Sequence, residues 1–336
     1  MKRYNVAVVG ATGMVGRKML EVLEERNFPI ANLYPMASAK SAGAKITYMG
    51  KEYLVEELNE NSFDKDIDIA LFSAGGGTSE KYSPIAAKNG VIAIDNSSAF
   101  RMDKNVPLVV PEVNPEDVEW HKNIIANPNC STIQAMVPLK PLHDAYKIKR
   151  IIYSTYQAVS GSGIKGTKDL EEGITGQVNK FYPHPIAFNV LPHIDDFTEN
   201  GYTKEEIKMI DETKKILHDD NLRITATTVR VPVYYSHSES VNIEFEKDFD
   251  LDELIKLLAS SPGVVVQNDI SNAAYPTPVE VAGKDEVYVG RIRRDQSIDK
   301  GINLWIVADN VRKGAATNAV QIAELLVSKN LIKGVK

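Results

Sequence analysis

The sequence predicts an α/β protein of two domains: a parallel sheet covered by helices, then an α+β domain with a mixed open sheet. Three observations carry this. Strand-like and helix-like segments alternate through the first part of the chain, as repeated strand–helix–strand units do. Beyond about residue 148 the apolar segments lengthen and fill with β-branched and aromatic residues, as long strands of a mixed sheet do. Finally, 336 residues exceed one ordinary core and suit two.

Tyr4–Gly10 (YNVAVVG) reads as a buried strand. Met14–Arg26 has Met14, Val15, Met19, Val22 and Leu23 near helical spacing. Asn32–Ala37 and Ile67–Ser73 read as strands, the latter running into Gly75-Gly76-Gly77. Ser79–Asn89 reads as a helix and Val91–Asp95 as a strand, with short strands at Leu108–Val110 and Ile124–Ala126. Ile133–Leu142 is the next helix. Ile148–Val159, Ile224–Tyr235, Val241–Phe249 and Asn303–Asp309 are the long strands, with helices at Lys204–His218 and Leu251–Ala259 between them. Lys313–Ser328 is amphipathic, with Ala316, Val320, Ala323 and Val327 on one stripe. It is expected to return to the first domain. The expected division is residues 1–130 with 310–336, and residues 131–309.

The composition narrows function. Hydrophobic content of 43% and charged content of 25% match a water-soluble globular chain. A net charge of −6 argues against a nucleic-acid footprint, which needs a basic face, but leaves room for a local arginine cluster that binds anions. No apolar stretch is long enough to span a bilayer. The apolar run near the N-terminus ends at once in a glycine-rich turn, unlike a signal peptide. The single cysteine forms no internal disulfide. The expected location is the cytosol.

Gly10-Ala-Thr-Gly13-Met-Val-Gly16 follows the first strand and opens the first helix. Glycines there permit a tight turn and close approach of a pyrophosphate to the helix N-terminus, the Rossmann-type arrangement. Dinucleotide sites that prefer NAD place a carboxylate at the end of the second strand. Here that end reads Ala37-Ser38-Ala39-Lys40-Ser41. Two serines and a lysine suit a 2′-phosphate, so the expected cofactor is NADP.

Asn127-Pro128-Asn129-Cys130-Ser131-Thr132 leads into the helix at Ile133–Leu142. Cys130 therefore sits near a helix N-terminus, where the positive end favours the reactive thiolate. A lone cysteine is more often an inert core residue. Its polar neighbours and its place after the dinucleotide unit favour chemistry. A cysteine beside a nicotinamide carries an acyl group as a thioester. Proton traffic then calls for a histidine; sequence chemistry barely ranks the six present, and His237 lies just past a strong strand near Arg230. No Cys/His cluster has metal-ligand spacing, so no metal is expected.

Together these segments resemble the aspartate-semialdehyde dehydrogenase family. The resemblance rests on GATGMVG (Gly10–Gly16), KSAG (Lys40–Gly43), DNSSAFR (Asp95–Arg101), NPNCST (Asn127–Thr132), QAVSGSG (Gln157–Gly163), IAFNVLPHI (Ile186–Ile194), RVPVYYSHS (Arg230–Ser238) and DNVRKGAA (Asp309–Ala316). These span nearly the whole chain. The resemblance implies reversible conversion of L-aspartyl 4-phosphate and NADPH to aspartate semialdehyde, phosphate and NADP. It places that step on the way to lysine (through diaminopimelate), threonine and methionine. It also implies a homodimer, or a dimer of dimers, built on the second domain's sheet.

The resemblance further implies Cys130 as nucleophile, His237 as general acid/base and Gln157 as the residue orienting the acyl-enzyme. Arg230 would clamp the substrate α-carboxylate, and Arg101, Asn129 and Lys208 the phosphoryl group. Glu205 would meet the α-ammonium. Cofactor contacts would be Gly10, Thr12, Gly13, Met14 and Val15 at the pyrophosphate, and Lys40 and Ser41 at the 2′-phosphate. Ser160 and Gly161 would lie near the nicotinamide, and Asn318 would contact the cofactor from the last helix. Two other readings remain: an N-acetyl-γ-glutamyl-phosphate reductase, and a non-catalytic NADP sensor. One geometric demand stands out. Arg230 and His237 are seven apart, so an unbroken strand would point them to opposite faces. The chain must bend between them.

Overall fold

The structure, a computed structural model, describes residues 2–177 and 180–332. It divides into two units, Met1–Pro128 with Ala315–Lys336, and Asn129–Gly314. The chain thus crosses at 128/129 and 314/315, against the sequence reading of 130/131 and 309/310.

The first unit begins β1 (Tyr4–Val9), α1 (Met14–Glu25), β2 (Ile30–Ala37), then a hairpin of β3 (Lys45–Tyr48) and β4 (Lys51–Leu54). It continues β5 (Glu56–Glu57), β6 (Ile69–Phe72), α2 (Gly76–Lys88), β7 (Ile92–Asp95) and β8 (Ile124–Ala126). The second unit opens with α3 (Cys130–Tyr146), β9 (Ile148–Gln157), α4 (Gly163–Ile174), α5 (Lys204–Leu217), β10 (Arg223–Arg230) and β11 (His237–Phe245). It closes with α6 (Leu251–Ser260), β12 (Val264–Val266), α7 (Pro278–Val281), β13 (Val287–Asp295) and β14 (Gly301–Ala308). The last helix, α8 (Thr317–Ser328), belongs to the first unit.

The first sheet is wholly parallel, ordered β5-β2-β1-β6-β7-β8. Every residue of β1, β6 and β7 is buried, because helices cover both faces. The alternation of the strands sorts their side chains. Val6, Val8, Ile69, Leu71 and Ile94 join residues of α1 and α8 in one cluster. Ala7, Val9, Ala70, Phe72 and Ala93 face the other way, with Ala86 of α2. The strand order reverses between β1 and β6. A crevice therefore opens beyond the C-terminal ends of these strands, where doubly wound sheets bind dinucleotides.

The second sheet is mixed, ordered β10-β9-β11-β14-β13-β12. β10 runs parallel to β9, whereas β11 runs antiparallel to both β9 and β14. Tyr153, Thr155 and Gln157 of β9 face the interior, while Tyr156 is partly exposed and packs on Trp305 of β14. α3 is buried on nearly every side, as a helix apolar all round requires.

Several elements differ from the sequence reading. Leu108–Val110 forms only an isolated bridge, Leu108 to Ala126. Pro107 and Pro111 flank it and lack the N–H groups that a ladder uses. The strand read as reaching Tyr235 stops at Arg230. The strand read from Val241 to Phe249 spans His237–Phe245 instead. The helix read from Lys313 begins as a π-helical turn over Arg312–Ala316. β13 escaped notice because its end, Arg291-Ile-Arg-Arg-Asp295, is charged and mostly exposed. α4 escaped because Gly163, Gly166 and Gly173 weaken its pattern.

Candidate active site

Cys130 is the first residue of α3, and Asn129 caps that helix. The Asn129 side chain accepts from the main-chain N–H of Ser131 at 3.0 Å and of Thr132 at 3.4 Å. This is the usual way to satisfy first-turn donors. It leaves half-buried Cys130 at the positive end of the helix. Asn129 is held in turn: its main-chain N–H donates to Glu212 Oε2 at 2.6 Å and its Nδ2 to Glu205 Oε1 at 2.9 Å.

The same Glu205 oxygen accepts from Gln157 Nε2 at 3.1 Å. Gln157 ends β9 and its own Oε1 accepts from Thr155 Oγ1 at 3.0 Å. Lys208, one turn along α5, lies 3.3 Å from Glu205 Oε2 and 2.6 Å from Asp195. Burial alone would raise the Glu205 pKa. The charge of Lys208, the two amide hydrogen bonds and the charge of Arg230 outweigh it, and the carboxyl is held below its ordinary value. A buried carboxylate anion thus links α3, β9 and α5.

The bend between Arg230 and His237 is real. Arg230 ends β10 opposite Gln157, and His237 starts β11 on the other side of β9. Between them the chain folds over the end of β9. Val231 N donates to Gln157 O, and Val159 N to Val233 O. Pro232 lies in this loop and Ser236 takes a left-handed φ of 71°. The odd spacing therefore places both side chains beside the end of one strand. Arg230 Nη1 donates to Ala158 O at 2.7 Å. His237 Nδ1 accepts from Ala158 N at 3.0 Å. One main-chain residue thus orients both. Because Nδ1 receives a hydrogen, the neutral ring carries its proton on Nε2. Burial, then the nearby Arg230 charge, pushes the His237 pKa well below its ordinary value.

Gly161 lies in the turn just past Ala158. A Cβ there would fall 2.8 Å from Arg230 Nη1 and 3.3 Å from the His237 ring. Only a residue without a side chain leaves these two groups in place. Ser160 Oγ pairs with Asn310 Oδ1 at 3.1 Å, and that oxygen also accepts from Ser236 N. Among the other histidines, His193 stacks on Phe197 and His121 accepts from Asn123 N.

In the first unit a cleft of about 400 Å³ lies at the turn. Gly10, Thr12 and Gly13 line it, with Ala37, Ser38 and Ala39. Gly10 has φ 86°, and a Cβ there would sit 2.3 Å from Ser73 O. Gly13 stands at the N-cap of α1, so no side chain occupies the first amides of that helix. Met14 and Val15 open the helix and are partly exposed. Lys40 and Ser41 stand in a 3₁₀ turn just past β2, with Lys40 exposed. These features fit a dinucleotide: a cradle that any side chain would fill, free helical amides and an exposed lysine at the ribose end.

Two expected contacts have other partners. Asn318 is fully buried and its amide donates to Val109 O and Asn127 Oδ1, fastening α8 within the first unit. It is not among the residues lining the cleft. Arg101, also in the first unit, donates to Asn127 O at 3.0 Å and Asn96 O at 2.9 Å. Sequence reasoning missed Ser73, Ala74, Thr78 and Tyr82, which line the cleft. The glycine run at Gly75–Gly77 was their signal. It also missed Ala158, which acts through its main chain, and Asn310, whose side chain joins Ser160 to Ser236; neither has a residue-type signature.

A dinucleotide-type cleft in the first unit and a cysteine-bearing constellation in the second are the features of a two-domain dehydrogenase. Family models agree on the division: "Semialdehyde dehydrogenase, NAD binding domain" matches residues 5–121, and "Semialdehyde dehydrogenase, dimerisation domain" matches residues 139–313. An aspartate-semialdehyde dehydrogenase from Aquifex aeolicus is 58% identical over 98% of this chain and 99% of its own length. The crystal structure of aspartate semialdehyde dehydrogenase II from Vibrio cholerae complexed with ASA matches with a TM-score of 0.93 at 48% identity, covering 98% of this chain and 99% of that one. That of the Candida albicans enzyme with NADP matches with a TM-score of 0.79 at 25% identity, covering 98% and 100%. The chain belongs to the aspartate-semialdehyde dehydrogenase family.

The buried neutral histidine has a measurable consequence. Its folded pKa lies below the unfolded value of about 6.5, so the unfolded chain binds a proton that the folded chain refuses. Its part in stability is complete above about pH 6.5 and is lost as pH falls towards the depressed value. The thermal midpoint of wild type should therefore drop between pH 7 and 5. His237→Asn should drop less over that interval, with His121 and His143, also lowered by burial, still contributing. Equal drops in the two proteins would contradict a depressed His237 pKa.

Proposed function

We propose that this protein catalyses the reversible, NADPH-dependent reductive dephosphorylation of L-aspartyl 4-phosphate to L-aspartate 4-semialdehyde. Such a reaction feeds the branch leading to diaminopimelate, lysine, threonine and methionine. The observation that carries the reading is the constellation of the second unit: Cys130 at a helix N-terminus, whose cap and whose neighbour Gln157 hang on one buried carboxylate.

The chemistry follows from these residues. The Cys130 thiolate attacks the acyl carbon, a C–S bond forms, and the C–O bond to phosphate breaks. Phosphate leaves with the bonding electron pair. Gln157, locked by Glu205 and Thr155, orients the resulting thioester. Gly10, Thr12, Gly13, Met14 and Val15, with Lys40 and Ser41, would hold NADPH, which would supply the hydride that takes the thioester to a thiohemiacetal. His237 Nε2 faces no partner among the described residues and handles the proton as the thiohemiacetal collapses to aldehyde and thiolate. Arg230 offers a planar guanidinium, its Nε without an acceptor among the described residues, to the α-carboxylate. Lys208 and Glu205 stand for the phosphoryl and ammonium groups, with Asn129 and Arg101 as further phosphoryl ligands. Ser160 and Gly161 border the nicotinamide in this reading, and Asn318 acts from a packing position.

Two further points belong to the same proposal. The partly exposed face of the second sheet, with Tyr156 and Trp305, is the surface on which two copies pair. The cytosol, which keeps a lone cysteine reduced, is the compartment. No helix among the described residues is long and apolar enough to cross a membrane.

Four experiments test this reading. With NADP, phosphate and aspartate semialdehyde, NADPH should form. Formation only with N-acetylglutamate semialdehyde, or with neither aldehyde, would overturn the substrate. In the same assay Cys130→Ala should lose roughly four orders of magnitude or more of turnover while still binding NADP, and turnover near wild type would remove Cys130 as nucleophile. Lys40→Ala should raise the KM for NADP by about tenfold, the worth of one charge-assisted hydrogen bond, and leave that for NAD unchanged. A wild-type preference for NAD would refute the cofactor assignment. Sedimentation equilibrium should give a dimer or a multiple of it; a monomer at micromolar concentration would rule out pairing through the sheet.

A further inference from the structure

One buried carboxyl plays no part in the chemistry above. Glu239 is fully buried in β11, two residues beyond His237 and so on the same face of the strand. Neither of its oxygens has a hydrogen-bond donor in place among the described residues. Its neighbour is Gln134, and burial pushes its pKa well above the ordinary carboxylate range, only partly countered by that amide. An acid held neutral has an O–H to give. Gln134 Oε1 is itself buried without a donor among the described residues, while Gln134 Nε2 donates to the main-chain oxygen of His237 at 3.3 Å.

The placement of the four residues gives this pair its meaning. Cys130 and Gln134 are one turn apart on α3 and so share a face. His237 and Glu239 share a face of β11. The helix bearing the nucleophile is thus tied to the strand bearing the histidine by a bond one step behind both. We propose that Glu239 and Gln134 form a positioning pair that sets the His237 imidazole relative to Cys130. Glu239 O–H donates to Gln134 Oε1, which fixes the amide so that Nε2 faces the His237 carbonyl. The Ala158 N–H fixes the ring from the other side. Glu239 touches no substrate in this assignment; it acts through Gln134 and the backbone.

The groups facing Glu239 allow its ionisation to be followed. β9 brings Thr155 opposite it and Tyr153 two residues away, the latter a buried phenol whose own pKa is raised, mainly by burial. β14 brings Ile306 and carries no ionisable residue. α3 brings Cys130 ahead of Gln134, with Lys140, His143, Asp144 and Tyr146 further towards its C-terminus. On β11 itself His237 is neutral, and Arg230 acts on that ring. No cation among these groups is in place to pair with Glu239 once it ionises. Ionisation at alkaline pH therefore removes the donor and breaks the tie.

The test rests on the function proposed above for its kinetic arm but has a second arm that needs no substrate. In steady-state assays with aspartate semialdehyde, Glu239→Leu and Gln134→Leu should each lower kcat by about ten- to a hundredfold, the cost of a displaced catalytic group, with KM changed little. The double variant should be no worse than the weaker single one, because both break the same tie. Glu239→Gln keeps a donor without a charge, so it should retain kcat at pH 7 and lose the wild-type fall at high pH. In parallel, the alkylation rate of Cys130 by iodoacetamide across pH should shift in the leucine variants and not in Glu239→Gln. As the only cysteine, it gives an unambiguous readout even if the substrate proves to be another acyl phosphate. The proposal is overturned if the leucine variants keep wild-type kcat and alkylation, or if Glu239→Gln fails as badly as Glu239→Leu. If the leucine variants do not fold, the pH profiles of Glu239→Gln decide alone: an unchanged alkaline limb rejects the pair.

Discussion

The second unit is organised around a charge that has been taken out of water. Glu205 is almost wholly buried yet ionised, a state that only close partners make tolerable. Its partners are Asn129, Gln157 and Lys208. Each lies on a different stretch of chain, so satisfying one carboxylate fixes the cap of α3, the end of β9 and the first turns of α5 together. Cys130 inherits its position from the cap, and Gln157 its orientation from the same oxygen. Replacing Glu205 with an apolar residue would strand two buried amides at once.

The same logic applies on the histidine side with the opposite sign. There a base is buried and kept neutral, with Ala158 N–H occupying one ring nitrogen and Arg230 close by. Neutrality leaves Nε2–H as a donor, and the neighbouring arginine discourages a second proton. Carboxylate and imidazole thus hold opposite charge states in one buried region. The difference comes from partners: Glu205 has donors and a lysine, whereas His237 has a donor into its lone pair and a like charge nearby.

The first unit solves a different problem, that of admitting phosphate groups without side-chain interference. Parallel strands bring β1 and β6 side by side, and the reversal of strand order there opens the crevice. Gly10 then approaches the Ser73 carbonyl more closely than any other residue permits. The result is a cleft whose lining is mostly backbone and small side chains.

Much of this was legible in the residues. Hydrophobic runs and periodicity located β1, α1, β7, β9, α5 and α8, because burial on a regular element writes a repeat into the sequence. The glycine turn and the Asn-Cys junction could be read because their residue types have few other uses in that context. The sequence alone therefore determined the fold class and the family, and singled out Cys130 as the candidate nucleophile. Other features had no such signature. The turn from Arg230 to His237, the joint hold of Ala158 on both side chains, the Glu205 hub and the Glu239–Gln134 pair depend on which strands lie side by side. Strand order is set by long-range packing, and no local residue pattern records it. A glutamate in a strand looks alike in sequence whether it meets solvent, two amides or nothing charged at all. Only the tertiary structure decides its neighbours, and the neighbours decide its charge.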